Sequence, residues 1–233
     1  MTTKKQKITF TIFLSAIAFG LFGLSIWQIK RLNWKNDLVS KFNQQIAKEH
    51  LALNSKKNLD IANDEYQIFT AKGRFIHQSE IYLGPRYQKK KQGFFILTPF
   101  KLADNSLILV NRGWIIKDNK SKDKRPESLS KKMQNIKIML RKGQYQKRFI
   151  PDNDPKENFW FWLDMQGISE YLKYDFGSFY FDQMPDDNSS NSGVKAVGTD
   201  KITFRNDHLS YAITWFVLAI FAFLVILFYI RGK

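Results

Sequence analysis

Apolar residues collect in two uncharged blocks, one near each end of the chain. The first covers residues 8–29 and the second covers residues 209–230, and each has 22 residues without a charge. A helix of that length rises about 33 Å, enough to cross a hydrocarbon core of roughly 30 Å. The pattern predicts two transmembrane helices over these ranges.

The first block also resembles the start of a signal peptide, because basic residues precede it. The apolar stretch of a signal peptide normally has about 7–15 residues and ends at a small-residue cleavage site. Here it is longer and continues into Trp27, Lys30 and Arg31. An uncleaved membrane anchor is therefore the favoured interpretation.

Residues 30–208 form a polar segment between the two blocks. Five of the 37 basic residues lie in the tails 1–7 and 231–233, whereas all 21 acidic residues lie in the central segment, which leaves it a net charge of +11. Two spans place both tails on one side, and basic tails favour the cytoplasm, while long domains translocate largely regardless of charge. We expect a multi-pass protein of the bacterial inner membrane with its central domain on the periplasmic side, or of the mitochondrial inner membrane in a eukaryote.

The hydrophobic period changes within the central domain. Residues 31–53 carry apolar side chains at helical spacing and predict an amphipathic helix that continues from the first span. The sequence after it consists of short runs rich in Ile, Val, Phe, Tyr and Trp, punctuated by Gly, Pro, Asn and Asp, which predict strands. The predicted strands are 66–76, 79–83, 93–101, 106–116, 135–141, 158–163, 177–183 and 200–205.

Turn and loop signals complete this picture. Asp104-Asn105 predicts a hairpin turn, since both residues tolerate a positive φ, and the polar stretches 117–134 and 184–199 predict exposed loops. Asp164 is placed to cap a short helix over 165–172. The fold class that we predict is an α+β membrane protein, with two transmembrane helices flanking a strand-rich antiparallel domain shaped as a barrel or sandwich.

Composition excludes several kinds of chemistry. The chain of 233 residues has no cysteine, which removes disulfides, thiolate metal sites, thiol nucleophiles and covalent c-type haem attachment. Its motifs include no phosphate-binding loop, nucleophile elbow or metalloprotease signature. The formal charge of +16 is weak evidence for nucleic acid without a groove-docking element; anionic membrane lipids are a nearer partner.

The start of the second span is the most informative candidate site. His208, Tyr211 and Trp215 lie at spacings of three and four residues and share one helical face, with Ala212 and Ala219 on the same stripe. An aromatic belt at the membrane interface explains these residues equally well as a ligand site does. In the second interpretation the His208 imidazole binds haem iron, the aromatic rings flank the macrocycle, and Arg205 meets a propionate.

Further residues recur near the end of the first span and in the domain. Trp27, Arg31 and Trp34 share one helical face, for which membrane anchoring is the simpler account. In the first span Ala16 and Gly20 form a small-residue pair that allows another helix to approach. Two domain motifs combine turn formers with an arginine, most simply as strand ends with a solvated charge; they are Leu83-Gly84-Pro85-Arg86 and Val110-Asn111-Arg112-Gly113-Trp114.

Six motifs follow one another in order along the chain: Trp27-Gln28 with Arg31, Gly73-Arg74-Phe75, Tyr82-Leu83-Gly84-Pro85-Arg86, Asn111-Arg112-Gly113-Trp114, Asn158-Phe159-Trp160 and Asn206-Asp207-His208 through Trp215. In this order they resemble the surfeit-locus family of cytochrome c oxidase assembly proteins, over residues 24–222. The chain departs from the family pattern at Ser25, where a glycine is usual before the Trp27-Gln28 pair.

The resemblance implies a non-enzymatic factor that holds haem a and delivers it to the catalytic subunit of the terminal oxidase. The family histidine at the head of the second span matches His208, with Tyr211, Trp215, Arg205, Trp27 and Arg31 as further candidate haem contacts. The implied partners are that catalytic subunit, haem a synthase and membrane lipids. Two alternatives stay open: a membrane-anchored scaffold that binds the oxidase subunit without haem, and an envelope enzyme of unknown type using a carboxylate such as Asp164.

Overall fold

A computed structural model describes residues 4–54, 59–60, 63–185, 193–199 and 206–232. The chain divides into two compact units. One consists of the terminal segments Met1–Phe42 and Ile202–Lys233, and the other is the central domain Asn43–Lys201. The predicted strand at 200–205 lies outside the described residues.

Three α-helices occur in the described part of the chain. They are α1 (Lys4–Ile46), α2 (Met165–Leu172) and α3 (His208–Arg231). By length and composition, α1 and α3 are both able to cross a membrane. The polar continuation of α1 ends at Ile46 rather than at residue 53, because Leu51–Ala52 pair as a short strand.

The described part of the domain contains one sheet of eight strands. Five of them close into a barrel in the order β2-β6-β8-β5-β4, because the end of β4 also pairs with β2. The beginning of β4 instead pairs with β3, which carries β7 on its other edge. The strands are β1 (Leu51–Ala52), β2 (Ile68–Phe75), β3 (Ile81–Gln88), β4 (Lys91–Leu102), β5 (Leu107–Ile116), β6 (Gln134–Lys142), β7 (Phe159–Trp160) and β8 (Phe179–Gln183).

The sheet is mixed, so the prediction of a purely antiparallel domain is wrong in this respect. Three pairs are parallel: β1 with β2, β3 with β7, and β5 with β8. The connection from β6 to β8 contains β7 and α2, and β8 then lies between β6 and β5, antiparallel to the first and parallel to the second. Alternating hydrophobicity marks a strand but does not reveal the direction of its neighbour.

Apolar side chains at alternate strand positions point inward and fill the barrel interior. Phe69, Ala71 and Phe75 of β2 face Phe100 of β4 and Phe181 of β8 in one buried cluster. Residues on the opposite strand faces, including Leu97, pack against Trp160 of β7 and Ile168 of α2 in a second cluster. The barrel is therefore filled by side chains, with α2 covering part of its outer face.

Two local features predicted from the sequence, a hairpin turn and a helix cap, are present in the structure. Asn105 has a φ of 67° between β4 and β5, as the predicted hairpin requires. Asp164 caps α2, its side chain accepting a hydrogen bond from the Gly167 amide. Both predictions are confirmed.

The polar stretch 117–134 differs from the predicted exposed loop. It contains three short 3₁₀-helices, at Lys117–Asn119, Lys122–Lys124 and Pro126–Ser128. Arg125 and Ser128 are buried, so charged composition alone gave a wrong prediction here. The stretch 184–199 is described only in part; within it Met184 and Val194 are buried.

Candidate functional site

The two terminal helices approach each other through a small polar residue. The Ser25 hydroxyl donates a 2.9 Å hydrogen bond to the backbone carbonyl of Ala212, and both residues are buried. Ala16 and Gly20, from which the sequence predicted this approach, are exposed. Gly20 lies five residues before Ser25, which turns it about 140° around α1 and away from the contact.

One turn further along α1, the packing of α1 against α3 brings His208 and Gln28 together. The His208 Nδ1 atom lies 2.7 Å from Oε1 of Gln28, a buried side chain. An amide oxygen accepts hydrogen bonds, so in the neutral imidazole Nδ1 carries the proton and Nε2 keeps its lone pair. Among the described residues, none hydrogen-bonds to Nε2.

This arrangement is the one that a metal-binding imidazole requires. A ligating histidine normally donates its second ring N–H to an oxygen that fixes the ring and its tautomer. Gln28 belongs to the motif that sequence reasoning singled out, yet its contact with His208 was not predicted, because 180 residues separate the two in the chain. In the described part of the chain no group of three or more His, Cys, Asp or Glu side chains is placed to hold a metal, so the donor available here is a single imidazole.

The other predicted haem contacts are distributed unevenly around this imidazole. Tyr211 and Trp215 follow His208 on the same side of α3 by helical spacing; the first is 53% exposed and the second is half-buried. Arg205 lies outside the described residues.

Trp27 and Arg31 do not join the His208 pair. Trp27 is one residue from Gln28, about 100° around the helix, and its ring is 55% exposed. The Arg31 guanidinium instead lies over the Trp34 ring, 4.0 Å from its centroid. Their role toward haem stays a prediction.

The two arginine motifs of the domain lie inside strands and not at strand ends, which corrects the prediction. Gly84 and Pro85 occupy the irregularity where the β3–β4 register shifts. Arg86 is partly buried, and its guanidinium donates to the Phe161 carbonyl at 3.2 Å, while its own carbonyl accepts the Trp114 indole N–H at 3.1 Å. These residues tie β3 to β5 across β4.

Gly113 allows another segment to approach the same place. Its φ is 141°, and a Cβ there would come within 2.1 Å of the Lys195 carbonyl oxygen. The neighbouring Trp114 pairs through its backbone with Lys195. This position therefore requires glycine for a structural reason.

Arg112 is buried in an ion-pair cluster, so the prediction of a solvated charge is wrong. Its guanidinium contacts the Glu80 carboxylate at 3.0 Å, and Arg125 contacts the other oxygen of that carboxylate at 2.6 Å. Arg112 also donates to the Ser128 carbonyl. The cluster fixes the 3₁₀ segment against β3 and β5.

The pKa of the Glu80 carboxyl reflects this environment. Burial raises it, but the hydrogen bonds from His77 and Arg125 and the charges of Arg125 and Arg112 outweigh burial and lower the pKa of Glu80 to about 2. For Arg112, burial lowers the guanidinium pKa to about 10 against the favourable charge of Glu80. Both groups are charged at neutral pH.

Asn111 belongs to a second buried polar group on β5. Its amide donates to Asp182 at 2.9 Å, and Arg141 contacts the other Asp182 oxygen at 3.1 Å. Burial raises the pKa of Asp182 despite the charge of Arg141 and the hydrogen bonds. All the domain motif residues thus have structural contacts within the domain.

Comparison with known proteins finds relatives that match most of the chain. The family model described as "SURF1 family" matches residues 15–220. A "SURF1-like protein" of Drosophila melanogaster is 31% identical over 89% of this chain and 73% of its own length. One from Rickettsia prowazekii is 30% identical over 96% and 90%, and "Surfeit locus protein 1" of Rattus norvegicus is 27% identical over 90% and 71%.

Fold and site define a class: a protein with two long apolar terminal helices and a small mixed β-barrel domain between them in sequence, with an amide-oriented histidine at the head of α3. The matched region runs from within α1 to within α3 and takes in the whole domain. This chain belongs to the SURF1 family.

Proposed function

We propose that the protein is a membrane-bound assembly factor for the terminal cytochrome c oxidase, which holds haem a on His208 and delivers it to the catalytic subunit. The observation that carries the proposal is the hydrogen bond from His208 Nδ1 to Gln28, which leaves the Nε2 lone pair available. The part of the proposal that names the oxidase as the target rests on family membership and on the motif resemblance. The chain acts as a carrier and not as a catalyst.

Exposed apolar side chains on both helices support the membrane location. Phe19 of α1 is 77% exposed, and Phe221 and Phe228 of α3 are 65% and 76% exposed. Exposing such rings to water costs about 25 cal/mol per Å² of apolar area, whereas lipid tails solvate them. The basic tails favour the cytoplasmic side, which puts the domain in the periplasm of a bacterium.

His208 and its neighbours fit the chemistry of a haem carrier. The neutral imidazole of His208 would hold the haem iron through its Nε2 nitrogen. Gln28 holds the imidazole in the tautomer required, and Tyr211 and Trp215 offer aromatic surface on the same side of α3. A single imidazole also gives an affinity that a site with two histidines in the oxidase subunit exceeds, which permits release.

The partners follow from this role. Haem a synthase is the source of the pigment, the catalytic subunit of the oxidase receives it, and membrane lipids surround the helices. A scaffold that binds the oxidase subunit without haem is the alternative that shares most of these features. An envelope enzyme is less well supported, since the Asp164 carboxylate that it would use serves as the cap of α2.

Copurification from cells that make haem a tests the proposal. The wild-type protein in detergent is expected to show a haem Soret band that His208→Ala largely removes, and Arg205→Ala weakens the band less. His50→Ala is the matched control, because His50 is an exposed histidine of the domain. A wild-type protein that binds the oxidase subunit without pigment supports the scaffold, and full haem content and oxidase maturation with His208→Ala contradict the proposed role of that residue.

A further inference from the structure

A basic groove lies on the outer face of the barrel, where β2, β4 and the 3₁₀ segment meet. It has a volume of about 550 Å³. Four cationic side chains line it, namely Arg74, Lys101, Lys122 and Lys131, together with the apolar side chains of Phe75, Ile76 and Leu129. No carboxylate is among its lining residues, all of which belong to the described part of the chain.

Two of these cations face each other directly across a strand pair. Arg74 of β2 and Lys101 of β4 are register partners in the antiparallel ladder. Like charges in that position repel each other and lower the stability of the sheet. No acidic side chain within the described ranges bonds to either of them. The sheet thus keeps an unfavourable charge pair that an anionic ligand would relieve.

The buried cluster behind the groove offers no compensating negative charge. Glu80 is enclosed, its carboxylate already shared between Arg112 and Arg125. Lys122 donates to the backbone carbonyl of His77 at 2.6 Å, which fixes its ammonium group at the wall without neutralising it. The groove and its base are therefore electropositive.

The spacing of the charges favours an extended chain as the ligand. Lys72 precedes Arg74 by two residues, so the two lie on one face of β2, about 7 Å apart. Lys72 is exposed and continues the row beyond the groove. An extended peptide with acidic side chains at alternate positions repeats at the same interval, whereas a planar bilayer surface does not enter a concave groove.

We propose that this groove binds an extended acidic segment of a partner protein, with one carboxylate opposite Lys72 and the next alternate carboxylate between the facing side chains of Arg74 and Lys101. Apolar side chains next to those carboxylates contact Ile76 and Leu129, which are only partly buried. The site is independent of the haem role proposed above, because none of its residues is a candidate haem contact.

Fluorescence anisotropy on the full-length protein in detergent tests the groove. The probe is a labelled octapeptide of alternating glutamate and serine, and its glutamine counterpart serves as the uncharged control. We expect the acidic peptide alone to bind and its affinity to fall steeply between about 0.05 M and about 0.5 M salt, as screening shortens the range of the charges.

The double variant Arg74→Gln/Lys101→Gln is expected to weaken peptide binding roughly tenfold or more through the loss of two charge contacts. Lys147→Gln/Lys156→Gln removes the same charge from exposed positions elsewhere in the domain and is expected to change the affinity less than about twofold. Because the variant also removes the repulsive pair, its melting temperature is expected to stay equal or rise. Equal weakening by the two double variants would show net-charge attraction only and overturn the proposal.

Two competition measurements distinguish other ligands from the peptide. Inorganic phosphate at millimolar concentration, or vesicles containing phosphatidylglycerol, are tested for competition against the labelled peptide. Absence of peptide binding, together with vesicle binding that Arg74→Gln/Lys101→Gln removes, would assign the groove to lipid headgroups and contradict the proposal. The haem Soret band is recorded in parallel and is expected to be unchanged in this variant, so failure of the groove and failure of the haem role are separable.

Discussion

At the scale of single residues, two buried carboxylates in the same domain are held in opposite ways. The charges and hydrogen bonds around Glu80 lower its pKa to about 2, whereas burial raises the pKa of Asp182. Glu80 balances two buried guanidinium groups, while Asp182 contacts one, Arg141, that is 34% exposed. The two sites therefore differ in how much they need a negative charge.

Replacing each carboxylate by its amide tests this difference. Glu80→Gln leaves Arg112 and Arg125 without a counter-charge, and loss of one partner from a buried ion pair typically costs about 3–5 kcal/mol. We expect its melting temperature to fall by about 10 °C, and Asp182→Asn to lower it by much less. Thermal unfolding followed by circular dichroism measures both, and equal losses would contradict the assigned roles.

Low pH is expected to lower the stability of the domain through the Glu80 carboxylate. The pKa of Glu80 is lower in the folded protein than the value of about 4.3 for an unfolded chain, so its contribution to stability is present above that value. It is lost as the pH falls toward about 2. Melting temperatures recorded between about pH 5 and about pH 2 should fall for the wild type and change less for Glu80→Gln. Asp182 acts in the opposite direction, because its pKa is raised, so Asp182→Asn should steepen the acid loss.

At the scale of elements, the local sequence pattern predicted where strands and turns occur better than it predicted which strands pair. Strand positions, the Asn105 turn and the Asp164 cap follow from alternation and from side chains that act on their own backbone. The direction of β8 and the closure of β4 onto β2 depend on contacts distant in sequence. Burial of Arg112 and Arg125 could not be predicted either, because their shared partner Glu80 lies 32 and 45 residues away.

The helix pair shows the same limit at the candidate site. His208 was a candidate because it begins a long apolar helix next to aromatic residues. Its contact with Gln28 depends on how α1 faces α3, which is set at Ser25 and not at the predicted small-residue pair. The only sequence signal of this packing was the departure from the family pattern at Ser25. The structure explains why that position matters, because Ser25 forms the contact between α1 and α3.

Engineered cysteines can test this packing, since the natural chain has none. Ser25→Cys/Ala212→Cys should form an intramolecular disulfide on mild oxidation, because the Ser25 hydroxyl lies 2.9 Å from the Ala212 carbonyl and a bridge requires Cα atoms within about 7 Å. Leu24→Cys/Ala212→Cys is the matched control, with Leu24 41% exposed. Mass spectrometry of tryptic peptides detects the bridge, and efficient bridging of the control pair instead would contradict the orientation of α1.

At the scale of the whole molecule, the proposed function requires the domain and the tails on opposite sides of a membrane. Tyr145 is 91% exposed in the domain, and Lys5 is exposed near the amino terminus. In intact bacterial spheroplasts a membrane-impermeant maleimide should label Tyr145→Cys, and Lys5→Cys only after lysis. The reverse order of labelling would place the domain in the cytoplasm and exclude delivery from the periplasmic side.

The two proposals divide the molecule by chemistry. Haem a is assigned to the helix pair, where an imidazole, an amide and apolar surface occur together, and an acidic partner segment is assigned to the basic face of the barrel. Holding a cofactor and binding a partner protein are separate tasks, and the two proposals assign a different surface to each.

Titration of haem a into the purified apoprotein tests the central claim most directly. The wild type and His50→Ala should give the same Soret shift and affinity, and Gln28→Ala should bind about 10–100-fold more weakly, as loss of an orienting partner does at other histidine ligands. His208→Ala should lose the spectrum of an imidazole-bound iron. An unchanged spectrum and affinity with His208→Ala would contradict the account.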